Sequence, residues 1–168
     1  MALYYAIIYG RAKGILLTPL KTWKTIKKES GYIIETFMFL FVSCLASGLL
    51  SLIKGHFWLA EIYIPFSTIL ISSIIIRFFK LIKKIDWERN FSLLVYSFCP
   101  LIWYYSLSFI IHLQQFLLPM GLIHSFVLLF ISIKIFFDVT FLQILSMMLK
   151  IILVAFGCLY LLMVFFSG

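Results

Sequence analysis

Three histidines and one glutamate are the residues of this chain best suited to metal or proton chemistry. They are His56, Glu61, His112 and His124. Imidazole and carboxylate groups bind zinc and carry protons, and the helices predicted below would bring these four to one side of a membrane. No pair has the HxxxH or HExxH spacing of a helical zinc site. Loop and packing roles are the commoner explanation, and no metal or other cofactor is expected.

A second set of ionisable residues lies at or inside apolar stretches. Lys134 and Asp138 are four residues apart and can pair along a helix. Lys150 lies about two turns into an apolar stretch, where a charge is costly. With His124 they could form a polar path for protons or ions. We favour the structural alternative, in which these long side chains carry their charges to the membrane border.

The chain has no nucleophile beside a base, no glycine-rich phosphate loop and no Cys-x-x-Cys motif. An enzyme is therefore not expected. Of the 168 residues, 64% are hydrophobic and 12% are charged, and the mean hydropathy is +1.15. Soluble domains are near half apolar and a quarter charged. The composition excludes a soluble globular domain and predicts an integral membrane protein with no separate catalytic domain.

Five apolar stretches are long enough to cross a bilayer as helices. They predict an all-α, polytopic helix bundle, with residues 1–168 forming a single membrane domain. The predicted spans are about 33–53, 62–82, 91–111, 116–137 and 141–166. In the first span, Ser43, Ser47 and Ser51 recur every four residues, which predicts a helix-packing face.

Single residues within the spans add further predictions. Glu35 lies in the first turn of the first span, and its partner is expected to be Arg77 or a lysine of the inner loop. Pro65 is expected in the first turn of the second span, where proline is tolerated. Pro100 is expected to kink the third span.

Residues 1–32 predict a segment at the membrane interface. Thr18 is suited to cap a short helix, Pro19 to begin it, and the helix should end near Lys28. Trp23 and Ile26 share one face with a leucine, and the rest carries Lys21, Lys24, Lys27 and Lys28. Such a helix is expected to lie on the membrane, with Trp23 as its anchor and its lysines at anionic lipid headgroups. Nucleic acid is not an expected partner.

The basic residues predict the orientation. Of the 14 Lys and Arg residues, six precede the first span and five surround the connection between the second and third spans. The first loop has only one, and the third loop and the C-terminal end have none. Because basic loops stay in the cytoplasm, the N-terminus is expected inside and the C-terminus outside, in a bacterial inner membrane.

Two segments resemble known motifs. Residues 11–29, RAKGILLTPLKTWKTIKKE, resemble the N-terminal signature of bacterial Yip1-family membrane proteins, in which a basic apolar lead and Leu-Thr-Pro (Thr18 and Pro19) precede a short helix with Trp and Ile. Tyr96, Ser97 and Pro100 are similar to the Tyr-Ser-x-x-Pro at the start of the family's third span. The fourth span departs from the family pattern, because His-Ser-Phe stands where Tyr-Ser-Leu-Tyr is common.

The resemblance implies an interfacial helix followed by five spans, and a scaffold-like role rather than a reaction. Eukaryotic relatives bind small GTPases and carry a longer cytosolic N-terminal region, which is not found here, so GTPase binding is not implied. The expected function is a non-enzymatic membrane scaffold or accessory subunit. It would act through helix packing and lipid contact, with a membrane-protein partner or further copies of itself. The alternative is a small transporter or channel subunit that uses the intramembrane His, Lys and Asp residues.

Overall fold

The chain folds into α-helices throughout the part that the computed structural model describes, which is residues 2–28, 33–52, 58–79, 86–111, 113–137 and 139–167. These residues contain no strand. The seven helices are α1 (Ala2–Leu17), α2 (Pro19–Lys28), α3 (Ile33–Leu52), α4 (Trp58–Phe78), α5 (Trp87–Ile111), α6 (Gln114–Phe137) and α7 (Phe141–Ser167). The predicted all-α class is confirmed at this level.

Four of the described helices, α3, α5, α6 and α7, are long and apolar enough to cross a membrane. In α4 the apolar stretch is shorter and covers Ile62–Phe78. These five helices lie at the positions of the predicted spans, but α4 and α5 begin earlier than predicted, at Trp58 and Trp87, and α4 ends at Phe78. Pro65 therefore lies inside α4, not in its first turn as expected. Proline has no N–H, so the carbonyl of residue 61 loses its usual helical donor.

Buried hydrogen bonds between helices define the topology. Thr36, near the start of α3, lies 3.1 Å from Ser92, near the start of α5 (Oγ1 to Oγ). The Asn90 side chain donates from Nδ2 to the Ser73 carbonyl near the end of α4 (3.0 Å). Because α3 and α5 begin at the same end of the bundle, α4 must return the chain along the bundle's length. The bundle therefore alternates in direction from α3 to α5.

Helix α5 lies at the centre of the bundle. It packs against α3, α4 and α6, whereas α7 packs against α4 and α6. Ten consecutive residues of α5, from Phe91 to Pro100, are buried, and the helix continues through Pro100. Gly121 of α6 allows α5 to approach closely, because a Cβ there would lie 2.9 Å from Tyr104 Cβ. Apolar and small residues thus form one core around α5.

Two helices, not one, precede the first span, and we call them the N-terminal helix pair (α1 and α2). They join at Thr18, whose N–H donates to the Gly14 carbonyl (2.8 Å) and whose carbonyl accepts from the Thr22 N–H (3.1 Å). The Thr18 hydroxyl also donates to Gly14 (3.3 Å). Thr18 therefore precedes α2 as predicted, but its side chain bonds back to α1. At Gly14 a Cβ would collide with the Thr22 side chain, so glycine lets α1 and α2 approach closely at the bend.

Candidate functional site

The N-terminal helix pair docks on the end of the bundle where α3 and α5 begin and α6 ends. Trp23 is fully buried at 0% exposure, and Ile26 is buried beside it at 1%. The Trp23 ring meets Tyr96 of α5 and Phe136 of α6 edge-on, with ring centroids 6.0 Å and 5.7 Å apart. This corrects the role expected for Trp23. A side chain with no exposed surface cannot enter lipid, so Trp23 anchors α2 to the protein instead.

A charged and polar cluster lies next to Trp23. Arg11 of α1 places Nη2 2.7 Å from Glu35 Oε2 of α3, and its Nη1 donates to the Tyr96 hydroxyl (2.9 Å). The Thr36 hydroxyl lies 3.5 Å from the same Tyr96 oxygen, a long hydrogen bond. The exposed fractions of the Arg11 and Glu35 side chains are only 12% and 21%. One guanidinium therefore ties α1 to both α3 and α5.

The partner of Glu35 differs from the expectation. The sequence suggests Arg77 or an inner-loop lysine, but the structure brings Arg11 to Glu35, from a helix that was not predicted. Arginine suits this place because its planar group can serve two acceptors at once. Removing one partner of a buried ion pair leaves the other charge uncompensated, so the pair fixes the position of α1 on the bundle. The cluster contains no arrangement of nucleophile and base.

The lysines of α2 face outward. Lys21, Lys24, Lys27 and Lys28 are all exposed. Three of them, Lys24, Lys27 and Lys28, line an open recess of about 490 Å³ together with Ile135 of α6. Lys27 donates from Nζ to the Ile135 carbonyl (2.5 Å), near the C-terminal end of α6, where the helix dipole favours a cation. Lys27 is thus tied to the bundle, while its neighbours in the recess present positive charge.

The residues of the two family-like motifs come together in part. Thr18 and Pro19 form the bend that aims α2 at the bundle, and Tyr96 is the residue on which Trp23, Arg11 and Thr36 converge. Ser97 is buried, and its hydroxyl has no hydrogen-bond partner among the described residues. Pro100 lies in the buried part of α5. The first motif thus contacts the second through Trp23 and Tyr96.

The serine stripe of α3 faces the interior of the bundle. Ser43, Ser47 and Ser51 are exposed by only 4%, 0% and 0%. The Ser43 hydroxyl donates to the Phe39 carbonyl (2.8 Å) and accepts from the Trp103 Nε1 of α5 (3.0 Å). Ser51 donates to the Gly48 carbonyl (2.8 Å). The small side chains lie where a packing face was predicted, and one of them links α3 to α5.

The described members of the predicted polar path do not meet. Lys134 and Lys150 are exposed on the outside of the bundle. His124 is half-buried, and its ring lies edge-on to Tyr104 with centroids 6.0 Å apart. Asp138 lies outside the described residues. No contact joins His124, Lys134 and Lys150 in the part of the chain that is described.

Of the four candidate metal ligands, His124 alone has a described side chain. His56 and His112 lie outside the described residues, as does the side chain of Glu61. Among the residues that are described, no group of three His, Cys, Asp or Glu side chains could hold a metal ion. Cys44, Cys99 and Cys158 are buried free thiols within α3, α5 and α7.

Comparisons with protein-family models, with curated proteins and with solved structures find no match to this chain. The likeness to bacterial Yip1 proteins therefore rests on the two motifs alone.

Proposed function

We propose that this chain is an integral membrane protein of five spans that acts as a non-enzymatic scaffold or accessory subunit of the Yip1 type. Its N-terminus lies inside a bacterial inner membrane and its C-terminus outside. The N-terminal helix pair presents a fixed basic surface at the inner face of that membrane. This surface holds anionic lipid headgroups, and the apolar bundle packs against a membrane-protein partner or a second copy of the chain.

The observation that carries the proposal is the way α2 docks. Burial of Trp23 and Ile26 fixes the helix to the bundle, while its lysines stay exposed. A basic amphipathic helix that is free in solution can settle on a membrane in many ways. Here Tyr96, Phe136 and the Arg11–Glu35 pair hold the helix in one position. A rigid basic surface is suited to presenting a binding site for anionic headgroups, and it offers no reaction chemistry.

The topology supports the fifth span. Ile62–Phe78 of α4 is at the short end of what crosses a bilayer. However, α3 and α5 begin at the same end of the bundle, so α4 has to traverse the same thickness as its neighbours. Reporter fusions test this arrangement. Alkaline phosphatase fused after residue 168 is expected to be active, whereas the same enzyme fused before residue 1 is expected to be inactive. The opposite pattern would contradict the proposed orientation.

The scaffold role is tested by purifying the native protein in mild detergent and measuring the mass of the intact assembly. A membrane-protein partner, or a second copy, at fixed stoichiometry is the expected result. A lone monomer in every detergent and in native lipid nanodiscs would contradict the scaffold proposal.

The lipid contact is tested with paired lysine variants and phosphatidylglycerol retained on the purified protein. Lys21→Gln with Lys24→Gln removes two charges from the basic surface and spares Lys27, which bonds to Ile135. Each lysine near an anionic membrane contributes about 1 kcal/mol, so a loss of about tenfold or more is expected for the pair. Lys21→Arg with Lys24→Arg keeps both positive charges at the same positions and is the matched control. Equal losses in both pairs would contradict a dedicated basic surface.

A further inference from the structure

Two neighbouring cavities, both open to the outside of the bundle, lie between α5 and α7. The first, of about 100 Å³, is lined by α4, α5 and α7. The second, of about 370 Å³, adds walls from α3 and α6. Both are lined by Pro65, Leu101, Ile102 and Leu159, so they adjoin each other. Together we call them the α5–α7 cavity.

The backbone explains why the space is there. Pro65 of α4 and Leu101 of α5, which follows Pro100, face each other across it. Proline disturbs the regular helix surface and prevents close interdigitation of side chains. Helix α7 is held by α4 and α6, and the cavity occupies the gap that separates it from the central helix α5. Pro65 lines this gap on the α4 side.

The walls identify the chemistry of an occupant. The surface that lines the first cavity carries no polar atom, and the second is almost entirely apolar. The serines of the walls, Ser72 in the first cavity and Ser47 in the second, are 1% and 0% exposed. Thr68 of the first cavity donates its hydroxyl to the Ile64 carbonyl of its own helix (2.7 Å). Water in a cavity needs two to four polar partners. The Ser47 and Ser72 hydroxyls have no partner among the described residues, but they are covered rather than presented to the space. An empty cavity would forfeit dispersion contacts on every wall.

We propose that the α5–α7 cavity binds one acyl chain of a membrane glycerophospholipid. The inference rests on the bilayer position given under Proposed function. The wider part is lined by Ser47, Leu118 and Met163, which belong to the end of the bundle opposite the N-terminal helix pair. The lipid therefore comes from the leaflet on that side, and its chain reaches inward past Pro65. There it supplies the packing that α5 and α7 do not give each other.

Photolabelling of the full-length protein in phosphatidylglycerol nanodiscs tests the site. The probe is a phosphatidylglycerol with a diazirine near the middle of one acyl chain, and labelled residues are mapped by mass spectrometry after pepsin digestion. Leu153 of α7 is 63% exposed and outside the cavity, so it reports ordinary lipid at the surface. Leu101 and Ile102 of α5 report the cavity. We expect labelling of both groups.

A cavity-filling variant makes the test specific. Ala155→Phe places a ring in the first cavity, which Ala155 lines, and is expected to reduce labelling of Leu101 and Ile102 by about tenfold. Leu153→Phe, on the exposed face of the same helix, is the control and is expected to leave it unchanged. If Ala155→Phe does not fold, Leu159→Trp fills the shared part of the cavity instead.

Three results would overturn the inference, and each has a different cause. Labelling at Leu153 without labelling at Leu101 and Ile102 would show a bundle in the bilayer whose cavity takes no acyl chain. Labelling of neither group would contradict the membrane position itself, and with it both proposals. Cavity labelling that persists unchanged in Ala155→Phe would show surface lipid only and would also overturn the site.

Discussion

Two glycines within apolar helices are expected to respond in opposite ways to the same substitution. Gly121 of α6 is buried, and an added Cβ would lie 2.9 Å from Tyr104 Cβ and 3.2 Å from Leu101 Cδ1. Gly157 of α7 is exposed, and an added Cβ would meet nothing within 4 Å. Both lie in the interior of a helix, so the gain in helix propensity from alanine is the same at each position. Packing alone distinguishes them.

The magnitudes follow from these distances. Replacing glycine by alanine in a helix interior stabilises it by about 1 kcal/mol. At Gly121 the new methyl group lies well inside ordinary carbon–carbon contact, so α5 and α6 must move apart, and such overpacking costs about 2 kcal/mol. Gly121→Ala is therefore expected to lower the free energy of unfolding by about 1 kcal/mol. Gly157→Ala is expected to raise it by up to about 1 kcal/mol.

Reversible unfolding in mixed micelles, followed by far-UV circular dichroism, measures the difference between the two variants. The expected difference is about 2 kcal/mol, with Gly121→Ala the less stable. Gly121→Leu should widen it, because a leucine cannot fit against Tyr104, whereas Gly157→Leu should not. Equal stability of the two alanine variants would refute the close packing of α5 on α6 and the arrangement of the bundle around it.

Four further substitutions and one control test the docking of the N-terminal helix pair and the start of α5. Trp23→Ala is expected to lower the free energy of unfolding by about 3–5 kcal/mol and to speed tryptic cleavage within α2. Leu20→Ala is the control, because this side chain is 59% exposed, and it should change the free energy of unfolding by less than about 0.5 kcal/mol. Arg11→Gln and Glu35→Gln should each lower the free energy of unfolding by about 2 kcal/mol. The double variant should lose less than the sum of the two, because the second change removes a charge that already lacks its partner. Strictly additive losses in the same unfolding assay would argue against the ion pair. Asn90→Ala should cost about 1 kcal/mol through its lost bond to α4, and an unchanged unfolding midpoint would contradict that bond.

The long helices were predictable from the sequence for a simple reason. Each is an apolar run interrupted by charged or turn-forming residues, and such runs have few alternative structures in a bilayer. The exceptions were the starts of α4 and α5, where charged residues lie within the helix, and α4 is the clearer case. Glu61 and Pro65 suggest a later beginning, because a charge and a proline near the edge of an apolar run are ordinary end signals. In the fold, helix geometry continues through both.

The N-terminal region shows where sequence reasoning fails. An amphipathic helix has the same pattern whether its apolar face meets lipid or protein, so the burial of Trp23 against Tyr96 could not be distinguished from membrane insertion. The Arg11–Glu35 pair joins residues from two helices whose relative position is set by the bend at Thr18. One signal was available: Arg11 lies in a mainly apolar stretch that also contains Lys13 and Gly14, and a glycine there lets a helix pack closely against a neighbour.

The unequal character of α5 and α7 has a consequence for biogenesis. Helix α5 is the least apolar of the four candidate spans and the most buried, whereas α7 is the most apolar and the least buried. A nascent α5 leaving the translocon gains little by partitioning into lipid alone, and its polar residues, such as Asn90 and Ser92, find their partners on α4 and α3, which are synthesised before it. Helix α7 can enter the bilayer without help. If the chain inserts as proposed, α5 is therefore expected to be the helix whose insertion depends on those made before it.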